Sequence, residues 1–147
     1  MIKILESVDN DIEYFSNGSE LDSEAIKDSI RYTIDHSMFR KVFSVWDLDR
    51  KIVICFFGLN YISNGIYEVW LAKSKNIYEY TSSLWSKVKY FFELMLDEKI
   101  LHRYQATVCV DNIKYIKFLS FLGMRCEGLL KNYKNDGKDF YLLARGI

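Results

Sequence analysis

The amino-acid sequence predicts an α/β fold, a mixed, mostly antiparallel and twisted sheet flanked by helices. Three observations carry that prediction. Runs rich in Val, Ile, Phe and Trp follow one another between residues 41 and 73, separated by short polar breaks, the texture of neighbouring strands. From Thr81 to about Lys99, the residues Leu84, Trp85, Val88, Phe91, Phe92, Met95 and Leu96 form an i, i+3, i+4, i+7 stripe with no breaker, the signature of an amphipathic helix. An alternating apolar run, RYQATVCV, comes directly after it. A strand–helix–strand crossover of this kind places parallel strands in one sheet.

Taken in order, MIKILESV alternates weakly and reads as a first strand. Asp22 and Ser23 precede a segment with Ile26, Ile30, Tyr32, Ile34 and Phe39 at helical spacing, and Asp22 with Glu24 suits a helix N-terminus. KVFSVWDL and KIVICFFGL, split by the polar turn Asp47 to Arg50, read as a hairpin. Asn60 to Gly65 is the next break, and GIYEVWLAK follows as a third antiparallel strand. Thr81, Ser82 and Ser83 are cap candidates for the long helix. Asp111 and Asn112 open a short helix, IKYIKFLSFL, which Gly123 closes. EGLLKNY and DFYLLAR, joined through Asp136-Gly137, read as a final hairpin.

Composition narrows the function classes. The chain has 147 residues, is half hydrophobic and 27% charged, and carries 20 basic against 20 acidic residues. One domain spanning 1–147 is expected, with a core that needs no disulfide or metal staple. Nil net charge excludes a general grip on nucleic acid or an anionic membrane. The three cysteines, Cys55, Cys109 and Cys126, lack metal-ligand spacing and read as reduced, mostly buried thiols. The opening MIKILESVDND has no apolar h-region, and no apolar run approaches the ~18 residues of a membrane span. A cytoplasmic location is expected. His36 and His102 show no partner spacing and read as surface residues. Cys109 lacks the neighbours of a thiol nucleophile.

The order of elements resembles the Gcn5-related N-acetyltransferase (GNAT) fold, and two stretches sharpen the likeness. VDNIKYIKFLSFLGMRCEGLLKNYKNDGKDFYLLAR is similar to the family's C-terminal signature, with Asn112, Phe118, Leu122-Gly123-Met124 and Glu127-Gly128 at the characteristic places. VWLAKSKNIYEYTSSLW aligns without gaps to the family's fourth strand, acetyl-CoA loop and following helix. Together the likeness covers residues 42–146. It implies a single GNAT-like domain and an N-acetyltransferase, with acetyl-CoA bound as co-substrate between the fourth and fifth strands. The backbone N–H near Leu71 would serve the thioester carbonyl. Thr81, Ser82, Ser83 and Asn112 would contact the coenzyme.

Departures from the family pattern bear on activity. The family's loop motif, Q/R-x-x-G-x-G/A, brings backbone N–H groups close to a pyrophosphate. The matching stretch, Asn76-Ile77-Tyr78-Glu79-Tyr80-Thr81, has neither glycine nor the leading basic residue. Glu79 opposes a pyrophosphate electrostatically, with Lys73 and Lys75 as nearby compensation. Leu119 stands where many members carry the tyrosine that protonates the thiolate, leaving Tyr115 and Tyr133 as substitutes. On the fourth strand, alternation puts Tyr67, not Glu68, on the face of the family's general base.

A second reading therefore stands beside the enzyme. The chain also resembles the small acetyltransferase-like internal virion proteins of short-tailed phages, in which the fold would serve as a structural or interaction component of a virion. Expected partners are a small amine acceptor or a protein, self-association included. The surfaces for a partner would be Ile26–Phe39, with Arg31, Tyr32, Met38 and Phe39, and Tyr133–Phe140, with Lys134 and Lys138.

Overall fold

The computed structural model describes residues 1–7, 40–74, 77, 79–80 and 82–146. The helix expected across Ile26–Phe39, His36, Lys75 and Thr81 lie outside the described residues, and so does the first of the two expected partner surfaces. Seven strands form one sheet: β1 (Ile2–Glu6), β2 (Arg40–Asp47), β3 (Ile52–Ser63), β4 (Ile66–Lys73), β5 (Arg103–Cys109), β6 (Arg125–Leu130) and β7 (Phe140–Gly146). Their order is β1-β2-β3-β4-β5-β7-β6. Helix α1 (Ser82–Asp97) links β4 to β5, and helix α2 (Ile113–Phe121) links β5 to β6. The β4–β5 pair is parallel and the β1–β2, β2–β3, β5–β7 and β6–β7 pairs are antiparallel. The sequence prediction of a mixed, mostly antiparallel α/β sheet holds.

Chain packing divides these elements into two compact units. The first comprises Met1–Asn60 and Val69–Ser86. Strand β3 is its spine, and Val53 through Leu59 are buried on both faces. Both faces are buried because this run carries a nearly unbroken series of large apolar side chains instead of an alternating one. A bulge interrupts β2–β3, where Val45 opposes Cys55 and Trp46 opposes Val53, so Ile54 is extra and the strand bends. Val42, Val53, Phe56 and Ala72 form a cluster against which Trp46 and Trp70 pack. Gly58 leaves room for the Trp70 indole, whose Nε1 donates to Asn60 Oδ1 at 3.3 Å.

The second unit comprises Tyr61–Glu68 and Lys87–Ile147. Strand β5 alternates as its sequence requires, with Tyr104, Ala106 and Val108 buried. Phe92 of α1 lies on Tyr104 with ring centroids 4.9 Å apart. The Tyr104 hydroxyl donates to the Leu122 carbonyl at 2.7 Å, satisfying the end of α2. Gly123 follows with φ +89, the left-handed C-cap expected from the sequence. Strand β6 lies at the sheet's edge, with Arg125, Cys126 and Glu127 exposed and a register shift at Cys126/Gly128.

Three boundaries differ from the sequence reading. Strand β3 runs on to Ser63, and the turn is Asn64-Gly65 with Gly65 at φ +73. Tyr61, Ile62 and Ser63 continue the strand with their side chains exposed. Strand β6 begins at Arg125 instead of Glu127 and ends at Leu130. Residues 131–139 then form a longer connection in which Asn132 takes φ +49 and Gly137 φ +76. Of the thiols, Cys55 is buried and Cys109 half-buried, but Cys126 is exposed, because the edge strand turns it to solvent.

Candidate functional site

In the first unit, the segment that follows β4 is fixed by a backbone bond to β3 and by side-chain bonds to Asp47 and Arg50 at the β2–β3 turn. Ser74 N–H donates to Ile54 O at 3.0 Å, and Ser74 O accepts from Ile77 N–H at 3.2 Å. The Ser74 hydroxyl is buried with no hydrogen-bond partner. Asp47, at the end of β2, accepts through Oδ1 from Asp49 N–H at 3.1 Å and from Arg50 N–H at 3.3 Å. This Asx-type arrangement shapes the turn. Its Oδ2 accepts from the Tyr80 hydroxyl at 2.7 Å. Arg50 Nη1 lies 2.5 Å from Glu79 Oε2 and 3.4 Å from the Tyr80 oxygen.

Electrostatics follow from these contacts. The Tyr80 hydroxyl holds the Asp47 carboxyl below its ordinary range, against the opposing effect of burial. Burial, and then the bond to Asp47, pushes the Tyr80 phenol up to about 12. Glu79, read from sequence as an adverse charge, is ion-paired with Arg50. Its charge is compensated from the β2–β3 turn, a source the sequence reading did not name. Ser82 and Ser83 lie exposed in the first turn of α1, and Leu71 is half-buried on β4.

In the second unit, Asn112 caps α2, its Oδ1 accepting from Tyr115 N–H at 3.2 Å. The cap fixes the first turn that carries Tyr115. The Tyr115 ring stacks on Phe118 with centroids 6.2 Å apart. Burial, and then the negative charge of Glu68, pushes the Tyr115 phenol up to about 12. Tyr67 and Glu68 lie on β4 opposite Tyr104 and Gln105 of β5. Tyr67 meets Tyr61 edge-on at 5.8 Å.

The fold thus brings Tyr115 into electrostatic reach of Glu68. Tyr133 is exposed, with its ring 5.4 Å from that of Phe140 and its N–H bonded to Lys138 O. Lys134 sits over the Phe140 ring at 5.0 Å. Leu119 is fully buried. His102 is exposed, and its N–H donates to Gly65 O at 2.7 Å. Asp47, Arg50 and Tyr80 escaped the sequence reading. The polar turn was legible, but nothing local signals a bond between residues 33 positions apart.

No family model and no curated protein sequence matches the chain. Solved structures do. A GNAT-family acetyltransferase from Bacillus anthracis superposes with a TM-score of 0.75 at 21% identity, over 99% of this chain and 94% of the other. A ribosomal-protein alanine acetyltransferase from Vibrio fischeri gives 0.73 at 19% identity, over 99% and 92%. An engineered spermidine N-acetyltransferase from Vibrio cholerae gives 0.74 at 16% identity, over 98% and 94%. The chain therefore has the fold of GNAT acetyltransferases along essentially its whole length. Among the described residues, no helix is long and apolar enough to cross a membrane.

Proposed function

We propose that the chain, as one domain over 1–147, is an N-acetyltransferase that moves the acetyl group of acetyl-CoA onto an amine. The observation that carries this reading is the match of the fold to GNAT acetyltransferases, with Tyr115 of α2 held protonated in electrostatic reach of Glu68. A phenol at about 12 stays protonated at neutral pH and can donate a hydrogen bond. In the reaction, the substrate ammonium first gives up a proton to water. The freed amine nitrogen attacks the acetyl carbon, the C–S bond breaks, and its electron pair leaves on sulfur. A thiol is ordinarily a stronger acid than this phenol, with a pKa of about 8.5. Tyr115 therefore donates a hydrogen bond to the departing thiolate and keeps its proton. The thiolate collects the proton that the new amide nitrogen sheds.

The coenzyme's pyrophosphate would sit at the start of α1, against Ser82 and Ser83. Two features suit it: the orphaned Ser74 hydroxyl supplies an uncommitted polar group, and the Glu79 charge is engaged by Arg50. Asn112 contributes by holding the turn that carries Tyr115. The acceptor is a small amine or a protein amino group; spermidine, substrate of the Vibrio cholerae neighbour, is the first to try. Titration calorimetry with acetyl-CoA tests the reading, followed by thiol release in the presence of spermidine. Tyr115→Phe should lower kcat about 100-fold while leaving acetyl-CoA affinity within about twofold. No binding at millimolar acetyl-CoA would sink the proposal.

Two observations favour a second reading. Leu119, at the family's acid position, is a fully buried core residue, and the loop lacks both glycines. On that reading the fold persists without chemistry, as an interaction component of a phage particle that self-associates or binds a protein through the Tyr133–Phe140 region. A chain that folds, binds no acetyl-CoA and elutes as an oligomer that Tyr133→Ser dissociates would decide for it.

A further inference from the structure

We infer that the β2–β3 turn orders the coenzyme loop from outside, replacing the conformational control that glycines supply elsewhere in this fold. The inference deepens the acetyl-CoA reading and names Asp47, Arg50, Glu79 and Tyr80 as positioning residues of the loop. Two adjacent loop residues, Glu79 and Tyr80, are each held by a different side chain of one turn. The turn is itself fixed, because Asp47 accepts two backbone N–H bonds through one oxygen while the other takes the Tyr80 hydroxyl. Asp47 is buried, and a buried carboxylate is stable only with its bonds made. Tyr80 is therefore the anchor. The Arg50–Glu79 pair is half-exposed, and such pairs add little stability. Its part is to set direction: it draws the Glu79 carboxylate to the turn and cancels its charge.

Only a loop conformation in which backbone N–H groups converge would accept a diphosphate. The affinity for coenzyme A falls by the fraction of loops in that state. Tyr80→Phe removes the anchor and leaves Asp47 with an unpaired oxygen. Arg50→Glu turns the second tie into a repulsion. Neither residue needs to touch the ligand for these effects.

The experiment pairs calorimetry with coenzyme A and amide hydrogen exchange over residues 77–86, on the full chain. Each single variant is expected to raise Kd about fivefold to tenfold and to speed exchange in that segment. Arg50→Glu combined with Glu79→Arg should recover most of the affinity and protection lost in Arg50→Glu alone. A merely local loss of stability would not be rescued in this way. Variants with wild-type Kd and wild-type exchange would overturn the inference, as would a charge-swapped pair no better than Arg50→Glu. A wild-type chain that binds no coenzyme A would refute the acetyl-CoA reading itself. Exchange would then decide the tie alone: faster in the variants upholds it, unchanged overturns it.

Discussion

Gly58 gives the sharpest test of how β3 and β4 are matched. A Cβ built at this position would fall inside the Trp70 indole, on Cε2, Nε1 and Cζ2 together. The ring cannot simply slide away, because it rests on the Val42, Val53, Phe56 and Ala72 cluster and its Nε1 is bonded to Asn60. Gly58→Ala must therefore displace the indole and weaken that bond. Overpacking of a filled core costs about 1–3 kcal/mol, and the lost hydrogen bond about 1 kcal/mol more. The sum, about 2–4 kcal/mol, is large against a marginal total stability. Urea unfolding followed by circular dichroism should show it as a lower midpoint with an unchanged slope. The decisive step is a double-mutant cycle. Trp70→Val creates space, so Gly58→Ala should cost less than about 1 kcal/mol in that background. A cost that is the same with and without the indole would refute the reasoning, since the clash would then not be its cause.

Further outcomes follow from other contacts. Tyr104→Phe removes the donor to the Leu122 carbonyl and should cost about 1–2 kcal/mol, read as a lowered Tm. An unchanged Tm would mean that the carbonyl is satisfied otherwise. The Asp47 carboxyl is held below its unfolded value near 3.8 by the Tyr80 hydroxyl, so its stabilisation is full above that value and is lost as pH falls through the folded pKa. Tyr80→Phe should therefore flatten the acid limb of stability against pH, and an acid limb of unaltered shape would count against the bond. Cys126 should react first with a thiol reagent in the native state, while Cys55, buried and pushed up to about 12, should react only on unfolding. Rapid native labelling of Cys55 would contradict its placement. Gly123→Ala, at φ +89 and against the Arg145 side chain, should lower stability by about 1–3 kcal/mol, and a neutral result would show that the cap tolerates a side chain.

Much of the fold was legible because its signals are local. The stripe from Leu84 to Leu96 places α1 within a residue or two of its ends, and Asn112 with Gly123 brackets α2. Errors arose where a residue type has two meanings. Asn60 to Ser63 look like a break, yet they extend β3 toward solvent, and the Asn64-Gly65 pair was the better turn signal. Asp136-Gly137 marked a turn correctly but not the length of its loop. The site was less legible because its organisation is long-range. Glu79 read as a liability since the sequence does not say that Arg50 lies beside it. Likewise, Tyr115 appeared in sequence as a candidate while Glu68 was set aside in favour of Tyr67, and only the packing of α2 brings the phenol into the electrostatic reach of that carboxylate.

The outer border of the sheet at β6 has a consequence for behaviour at high concentration. An unpaired strand edge is a template for another chain's backbone, and long flat edges promote fibrous aggregation. Here the edge is short, six residues, and its register breaks at Cys126/Gly128. Glu127 stands at that irregularity, and its carboxylate is gripped by Arg103, which also donates from Nε to Gln105 at 3.1 Å. A second chain attempting to add a strand would meet an interrupted ladder and a charged pair that must first be desolvated. Losing Glu127 would leave Arg103 without its partner and the border closer to a plain, adhesive strand.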